Sequence, residues 1–308
     1  MRRNENDNLP GGIVAIDKPR GCTSHDVINK VRTLYETSRV GHTGTLDPMA
    51  TGVLVVLVGR AAKACEFVSG GKKRYTATLR LGLETDTEDI TGTVLNEYGG
   101  RLPEYGEVCG AVRNFRGKIM QTPPMYSALK LGGEKLYDLA RRGITVERQS
   151  REIEIFSIDC MRTDSPSEYL LDVTCSGGTY IRTLCADIGK SLGCGGVMAS
   201  LRRIYANGIG IDQAYTLEAL SELDPQQRRE ALFDVQTLFA DLPSINLSGF
   251  FERLFRSGCP VYQKKLGTDF KCGEMLRICD MSGAFFALGE IGMYEEGSAV
   301  KSVKIFRL

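Results

Sequence analysis

The sequence predicts an α+β protein in two parts, on three observations. Arg74–Leu81 alternates strictly: Tyr75, Ala77, Leu79 and Leu81 share one face and Arg74, Thr76, Thr78 and Arg80 the other, as a half-buried strand requires. Tyr180–Leu192 instead carries Leu184, Ile188 and Leu192 at helical spacing, and Gly193 stops it. Beyond about residue 246 the chain reduces to short strands and turns: Met275–Cys279, a turn at Met281-Ser282-Gly283, Ala284–Ile291 and Val300–Phe306. A small all-β module of roughly sixty residues falls at the lower end of domain sizes. The predicted division is 1–245 and 246–308, with Leu242-Pro243-Ser244 as linker.

The other elements follow in order. Residues 13–16 form a short strand ending at Asp17-Lys18-Pro19-Arg20-Gly21. Thr23 or Ser24 then caps a helix whose apolar positions are Val27, Ile28, Val31 and Leu34. Val53–Val58 is a buried run. Gly82–Asp89 is acidic and lacks the spacing of a calcium loop, so it reads as a surface loop. Gln121–Lys130 is a second rigid loop, followed by a helix through Leu136, Leu139 and Ala140 that Gly143 ends. Arg182 falls in the first turn of the 180–192 helix, where the dipole disfavours a cation; that placement points to a specific anionic partner.

Composition narrows the function classes. With 308 residues, 42% hydrophobic and 25% charged, the chain is an ordinary globular one with room for a large core. The apolar run at 53–58 is too short to span a membrane, and Met1–Asn8 is polar with no signal core, so a cytoplasmic protein is expected. Ten cysteines are scattered from Cys22 to Cys279 without a Cys-x-x-Cys pair, beside only two histidines, which predicts reduced thiols and no metal. A net charge of +1 does not announce a nucleic-acid partner, yet a local patch suffices to engage phosphates. Arg141, Arg142, Arg148 and Arg151 form one basic cluster and Arg202-Arg203 another; each alone reads as a solvated face.

The most informative segment is Gly41–Gly52. It holds Asp47 in a glycine-punctuated turn just ahead of the buried run. The glycines allow close approach of a backbone or substrate, and Pro48 biases Asp47 toward an extended conformation. The carboxylate is thus mounted at one angle on an anchored loop. By itself this fits a turn residue as well as a catalytic acid.

Taken with other motifs, Gly41–Gly52 resembles the signature of the TruB family of tRNA pseudouridine synthases. The motifs run in order across roughly residues 11–215. Asp17-Lys18-Pro19 with Gly21, Thr23 and Ser24 is similar to the family's entry motif, and Lys73-Arg74-Tyr75 to its second. Gln121 with Pro123-Pro124 and Tyr126-Ser127-Ala128, then Leu136-Tyr137, resemble the bacterial branch. Gly178–Leu184 is similar to the arginine motif, and Leu201-Arg202-Arg203 follows it. The C-terminal strands, with Gly283–Glu290, resemble a small RNA-binding PUA domain.

The resemblance implies a mixed, mainly antiparallel sheet flanked by helices, the pseudouridine synthase fold, with a β-rich PUA-like module. It implies isomerisation of uridine-55 in the T-arm loop of tRNA to pseudouridine by a monomer, without cofactor or metal. Asp47 carries the reaction: attack at C1′, addition to C6 and removal of a C2′ proton all stay open. Arg182 pairs with that carboxylate, Tyr75 stacks on the uracil, and Leu201 packs against the same base. His42 fills the space left by flipped-out bases, and flipping is required because a stacked base is out of reach. Tyr180 and Lys18 contact substrate, Lys18 chiefly by shaping the floor. Two neighbouring readings remain. One is a guide-RNA-dependent catalytic subunit, which the Tyr126-Ser127-Ala128 motif and the absence of a lysine-rich tail disfavour. The other is a tRNA-folding chaperone without catalysis. A carboxylate glycosidase would want a second positioned acid, and the motifs offer no obvious one.

Overall fold

The computed structural model describes residues 11–68 and 70–306; the polar start read for a leader, residues 1–8, lies outside them. β1 (Gly12–Lys18) is buried along almost its whole length. α1 (Ser24–Leu34) starts at a capping box in which the Thr23 hydroxyl accepts from the Asp26 amide and the Asp26 carboxylate from the Thr23 amide. β2 (Val40–His42) and β3 (Thr51–Val58) flank the Asp47 loop. β4 (Lys73–Leu81) alternates as its sequence demands. The hairpin β5 (Leu83–Thr85) and β6 (Val94–Glu97), α2 (Tyr105–Arg113) and β7 (Gly117–Gln121) follow. A tight hairpin of β8 (Lys130–Leu131) and β9 (Glu134–Lys135) leads into α3 (Leu136–Arg141). β10 (Arg151–Arg162), β11 (Glu168–Cys175), α4 (Ile181–Ser191), β12 (Gly196–Ala206) and β13 (Ile209–Gly210) complete the larger sheet.

That sheet runs β1-β3-β12-β4-β11-β10-β7, with β2 on β3 and β13 on β12. It is antiparallel except where β12 meets β3 in parallel, at Arg202↔Thr51 and Arg203↔Gly52. One face of the sheet carries the helices, and the other is covered at its β1–β3 end, where Ile13, Ala15, Val53 and Val55 meet Phe233 and Leu238. Tyr75, Ala77, Leu79, Leu171 and Val173 pack against Val108 and Val112 of α2 and Leu184 and Ile188 of α4. Val14, Ile16, Leu54 and Val56 pack against Val27, Ile28 and Val31 of α1 and against Leu220 of α5 (Leu217–Glu222). Each such valine, leucine or isoleucine contributes about 1.5–3 kcal/mol on full burial.

After α6 (Pro225–Glu230) the chain builds a second sheet. β14 (Ser244–Asn246), α7 (Gly249–Arg256), β15 (Val261–Tyr262), α8 (Gln263–Leu266), β16 (Met275–Cys279), β17 (Phe285–Tyr294) and β18 (Gly297–Ile305) are its parts. The strand order is β14-β16-β17-β18-β15. The expected all-β character is corrected by α7. Phe251, Leu254 and Phe255 recur at helical spacing, and Phe255 packs edge-on against Phe286 of β17 with centroids 6.1 Å apart. The segment read as a linker runs straight into β14, and the Pro243 carbonyl accepts from the Arg277 amide. The two sheets share a core in which Leu57, Ala61 and Ala64 meet Phe239, Phe285, Leu288 and Phe306. β3 therefore carries the Asp47 loop at one end and the second sheet's support at the other.

Candidate active site

The Asp47 loop is tied down from three sides. The Pro48 carbonyl accepts from the Gly21 amide at 2.8 Å and from Lys18 Nζ at 3.4 Å. Ser24 Oγ bonds both the amide and the carbonyl of Leu46. Arg203 donates through Nε to Val53 at 2.7 Å and through Nη2 to the Gly44 carbonyl at 3.0 Å. Arg203 is only 2% exposed, and Arg202 is engaged with Asp17 at 2.8 Å. This corrects the reading of Arg202-Arg203 as a solvated face: one is a buried strut of the loop and the other holds the end of β1.

Arg182 meets this loop from the first turn of α4. Its Nε lies 3.0 Å from Asp47 Oδ2, and its Nη2 reaches Asp47 Oδ1 at 3.4 Å. The guanidinium side chain is 6% exposed, whereas the Asp47 side chain is 34% exposed, so the pair presents its carboxylate to solvent and keeps its cation inside. Two further donors of Arg182 go to the carbonyls of Thr87 at 2.9 Å and Tyr126 at 2.8 Å. A second carboxylate, Asp89, lies 4.0 Å from Arg182 Nε and accepts from the hydroxyls of Thr87 and Thr91 and the Thr91 amide. A buried cation fixed by this many acceptors costs far less than a bare one. The 82–89 segment is thus corrected from a plain surface loop to part of this site. Both Asp89 and the Tyr126 carbonyl were invisible as site groups in the sequence. The helix-start position of Arg182 signalled that anions were needed, without saying which.

The other expected residues fall as follows. Tyr75, 6% exposed, shares a core cluster with Leu46, Ala50 and Leu201 and lies with its ring 6.0 Å from the Arg203 guanidinium. Burial raises its phenol above the ordinary range, more than the Arg203 charge lowers it. His42 Nδ1 accepts from the Gly44 amide at 3.2 Å; burial and then Arg203 hold its imidazole below the usual value. Lys18 is fully buried and donates to the carbonyls of Pro19, Cys22 and Pro48, beneath the loop. Tyr180 caps α4, with both its backbone groups bonded by the Gln121 amide and its ring under Arg151 at 5.1 Å. Asp47, Arg182, Tyr75 and Leu201 are brought together; Lys18 points inward, and Tyr180 stands at the start of α4 beside Arg151.

A Cbf5–Nop10–Gar1 complex matches over 98% of this chain and 86% of its own with TM-score 0.72 and 23% identity. An archaeal box H/ACA sRNP Nop10–Cbf5 complex matches over 99% and 89% with TM-score 0.72 and 23% identity. These likenesses show a shared fold. Residues 32–181 match the TruB family pseudouridylate synthase N-terminal domain, and 182–239 the tRNA pseudouridylate synthase B C-terminal domain. Relatives named tRNA pseudouridine synthase B are 41% identical in Clostridium acetobutylicum, covering 93% of this chain and 96% of the relative, and 39% identical in Clostridium tetani, covering 91% and 95%. A third, from Dechloromonas aromatica, is 44% identical over 81% of this chain and 83% of its own. The chain belongs to the TruB family of pseudouridine synthases.

Proposed function

We propose that the protein isomerises uridine-55 in the T-arm loop of tRNA to pseudouridine, with Asp47 as the catalytic carboxylate. The observation that carries the reading is the Asp47–Arg182 pair at 3.0 Å, its cation buried and its carboxylate open to solvent. The relatives' shared name supports tRNA as the substrate. The reaction breaks the N1–C1′ bond, turns the uracil and rejoins it through C5. Nothing is oxidised and no group is gained. Arg182, locked by Thr87 and Tyr126, keeps the carboxylate at one angle toward the ribose or the base. Attack at C1′, addition to C6 and removal of a C2′ proton all draw on that same oxygen pair.

Tyr75 and Leu201 then form the wall on which the flipped uracil rests, a stacking contact of about 1–3 kcal/mol. His42 enters the space that the flipped base leaves. Tyr180 lines the rim, and Lys18 serves the substrate through the floor it supports. The first 245 residues act as the catalytic domain, and the C-terminal sheet acts as a PUA-like module that grips the tRNA body. Among the described residues no helix is long and apolar enough to cross a membrane. The enzyme works as a cytoplasmic monomer in this reading.

The test is tritium release from unmodified tRNA labelled at uracil C5, with the purified protein alone. Wild type releases tritium and Asp47→Asn does not, while both bind tRNA. No release from wild type would sink the stand-alone synthase, and release by Asp47→Asn would remove Asp47 from the chemistry.

A further inference from the structure

Arg182 is met by a strained turn. Glu88 has φ +62°, in the left-handed region, although it carries a full side chain. That conformation directs the Thr87 carbonyl and the Asp89 carboxylate, one residue to either side, at the same guanidinium, 2.9 and 4.0 Å away. Such a backbone persists only where its surroundings over-determine it. Thr183 Oγ1, immediately after Arg182 in α4 and 5% exposed as a residue, donates to Glu88 Oε2 at 2.5 Å. The Glu88 carbonyl accepts from the Met198 amide at 3.1 Å, and the Ile90 amide donates to the Met198 carbonyl at 3.0 Å. Burial pushes the Glu88 carboxyl up, opposed by the Thr183 bond and by Arg182 and Arg148, with Asp187 reinforcing the rise.

We propose that Glu88 and Thr183 form a brace that positions Arg182 for the reaction. The bond ties the first turn of α4 to the strained turn, so that guanidinium, Thr87 carbonyl and Asp89 carboxylate keep one arrangement against Asp47. Glu88 does not touch substrate; it acts through Arg182. The inference rests on the roles given above to Asp47 and Arg182.

Three variants test it. Thr183→Val removes the donor and keeps the shape, Glu88→Ala removes the acceptor, and Glu88→Gln keeps an acceptor oxygen without the charge. For Thr183→Val and Glu88→Ala, kcat for tritium release falls about tenfold to a hundredfold with KM for tRNA unchanged, the cost of a small misplacement. The double variant Glu88→Ala/Thr183→Val is no slower than the slower single, and Glu88→Gln restores most of the rate. Hydrogen exchange at the Met198 and Ile90 amides rises in the same two single variants and not in Glu88→Gln. Additive losses, Glu88→Gln as slow as Glu88→Ala, a rise in KM alone or unchanged exchange would each overturn the brace. The exchange readout needs no substrate, so a wild type without activity would sink the isomerase reading while the brace is still judged by exchange.

Discussion

A Cβ placed on Gly52 would lie 2.1 Å from the carbonyl oxygen of Arg203 and 2.8 Å from its amide nitrogen. Gly52 also has φ +101°, where only glycine is at ease. These two residues face each other where β3 and β12 run parallel, at the foot of the Asp47 loop. The glycine is therefore needed twice, for its backbone angle and for the approach of the neighbouring strand. We expect Gly52→Ala to lose about 3 kcal/mol or more in urea denaturation, summing backbone strain of about 1–3 kcal/mol and overpacking of similar size. A loss under about 1 kcal/mol would show that the strands part without cost.

Arg202 and Arg203 are neighbours with opposite expected phenotypes. Arg203→Met strands the carbonyls of Val53 and Gly44 in a buried place, so a loss of about 3 kcal/mol is expected, at about 1–3 kcal/mol per orphaned group. Arg202→Met breaks a pair whose side chains are 41% and 24% exposed, and the loss should stay within about 1 kcal/mol. Equal losses in equilibrium unfolding would contradict the buried-strut role of Arg203.

Periodicity made the α1 cap, the alternation of β4 and the α4 stripe legible, because each depends on neighbours within a few residues. What escaped depends on distant partners. β12 places Leu201 in the core beside Tyr75 and buries Arg203 under the loop, so its charged text hides a central strand. α7 escaped because three phenylalanines look like strand formers until their spacing is weighed. Asp89 joined the site only through Arg182, which comes 93 positions later in the chain. The motifs located Asp47 and Arg182, but the carbonyls that lock Arg182 carry no sequence signature at all.

Arg182→Lys should separate charge from geometry. An ammonium keeps the positive charge but cannot hold Asp47 and the carbonyls of Thr87 and Tyr126 at once. Single-turnover tritium release is expected to drop about 10²–10³-fold, the range for losing one preorganised donor, while tRNA binding changes little. A rate near wild type would mean that charge alone suffices.

Alkaline stability follows from the buried thiols, with the sign set by which state keeps its proton. Burial pushes Cys185, fully enclosed between α4 and the sheet, up to about 12 from 9.0, and the half-buried Cys160 rises to about 12 through burial and then its neighbour Cys109. Burial raises Cys175 to about 11. Above pH 9 the unfolded chain sheds these protons and the native chain does not, so stability present below pH 9 is lost as pH rises toward the native values. Each such thiol costs about 1.4 kcal/mol per pH unit in that window. Lys73 works the other way: burial, with Arg203 second, lowers it from 10.5 to about 8, so the unfolded chain holds that extra proton between the two values. One lysine offsets only part of three thiols, and the urea midpoint should fall between pH 9 and 11. Cys185→Ala should begin lower at pH 7, for the cavity it leaves, and then fall less steeply than wild type between pH 9 and 11. Parallel curves for the two proteins would show that Cys185 does not carry its share of the alkaline loss.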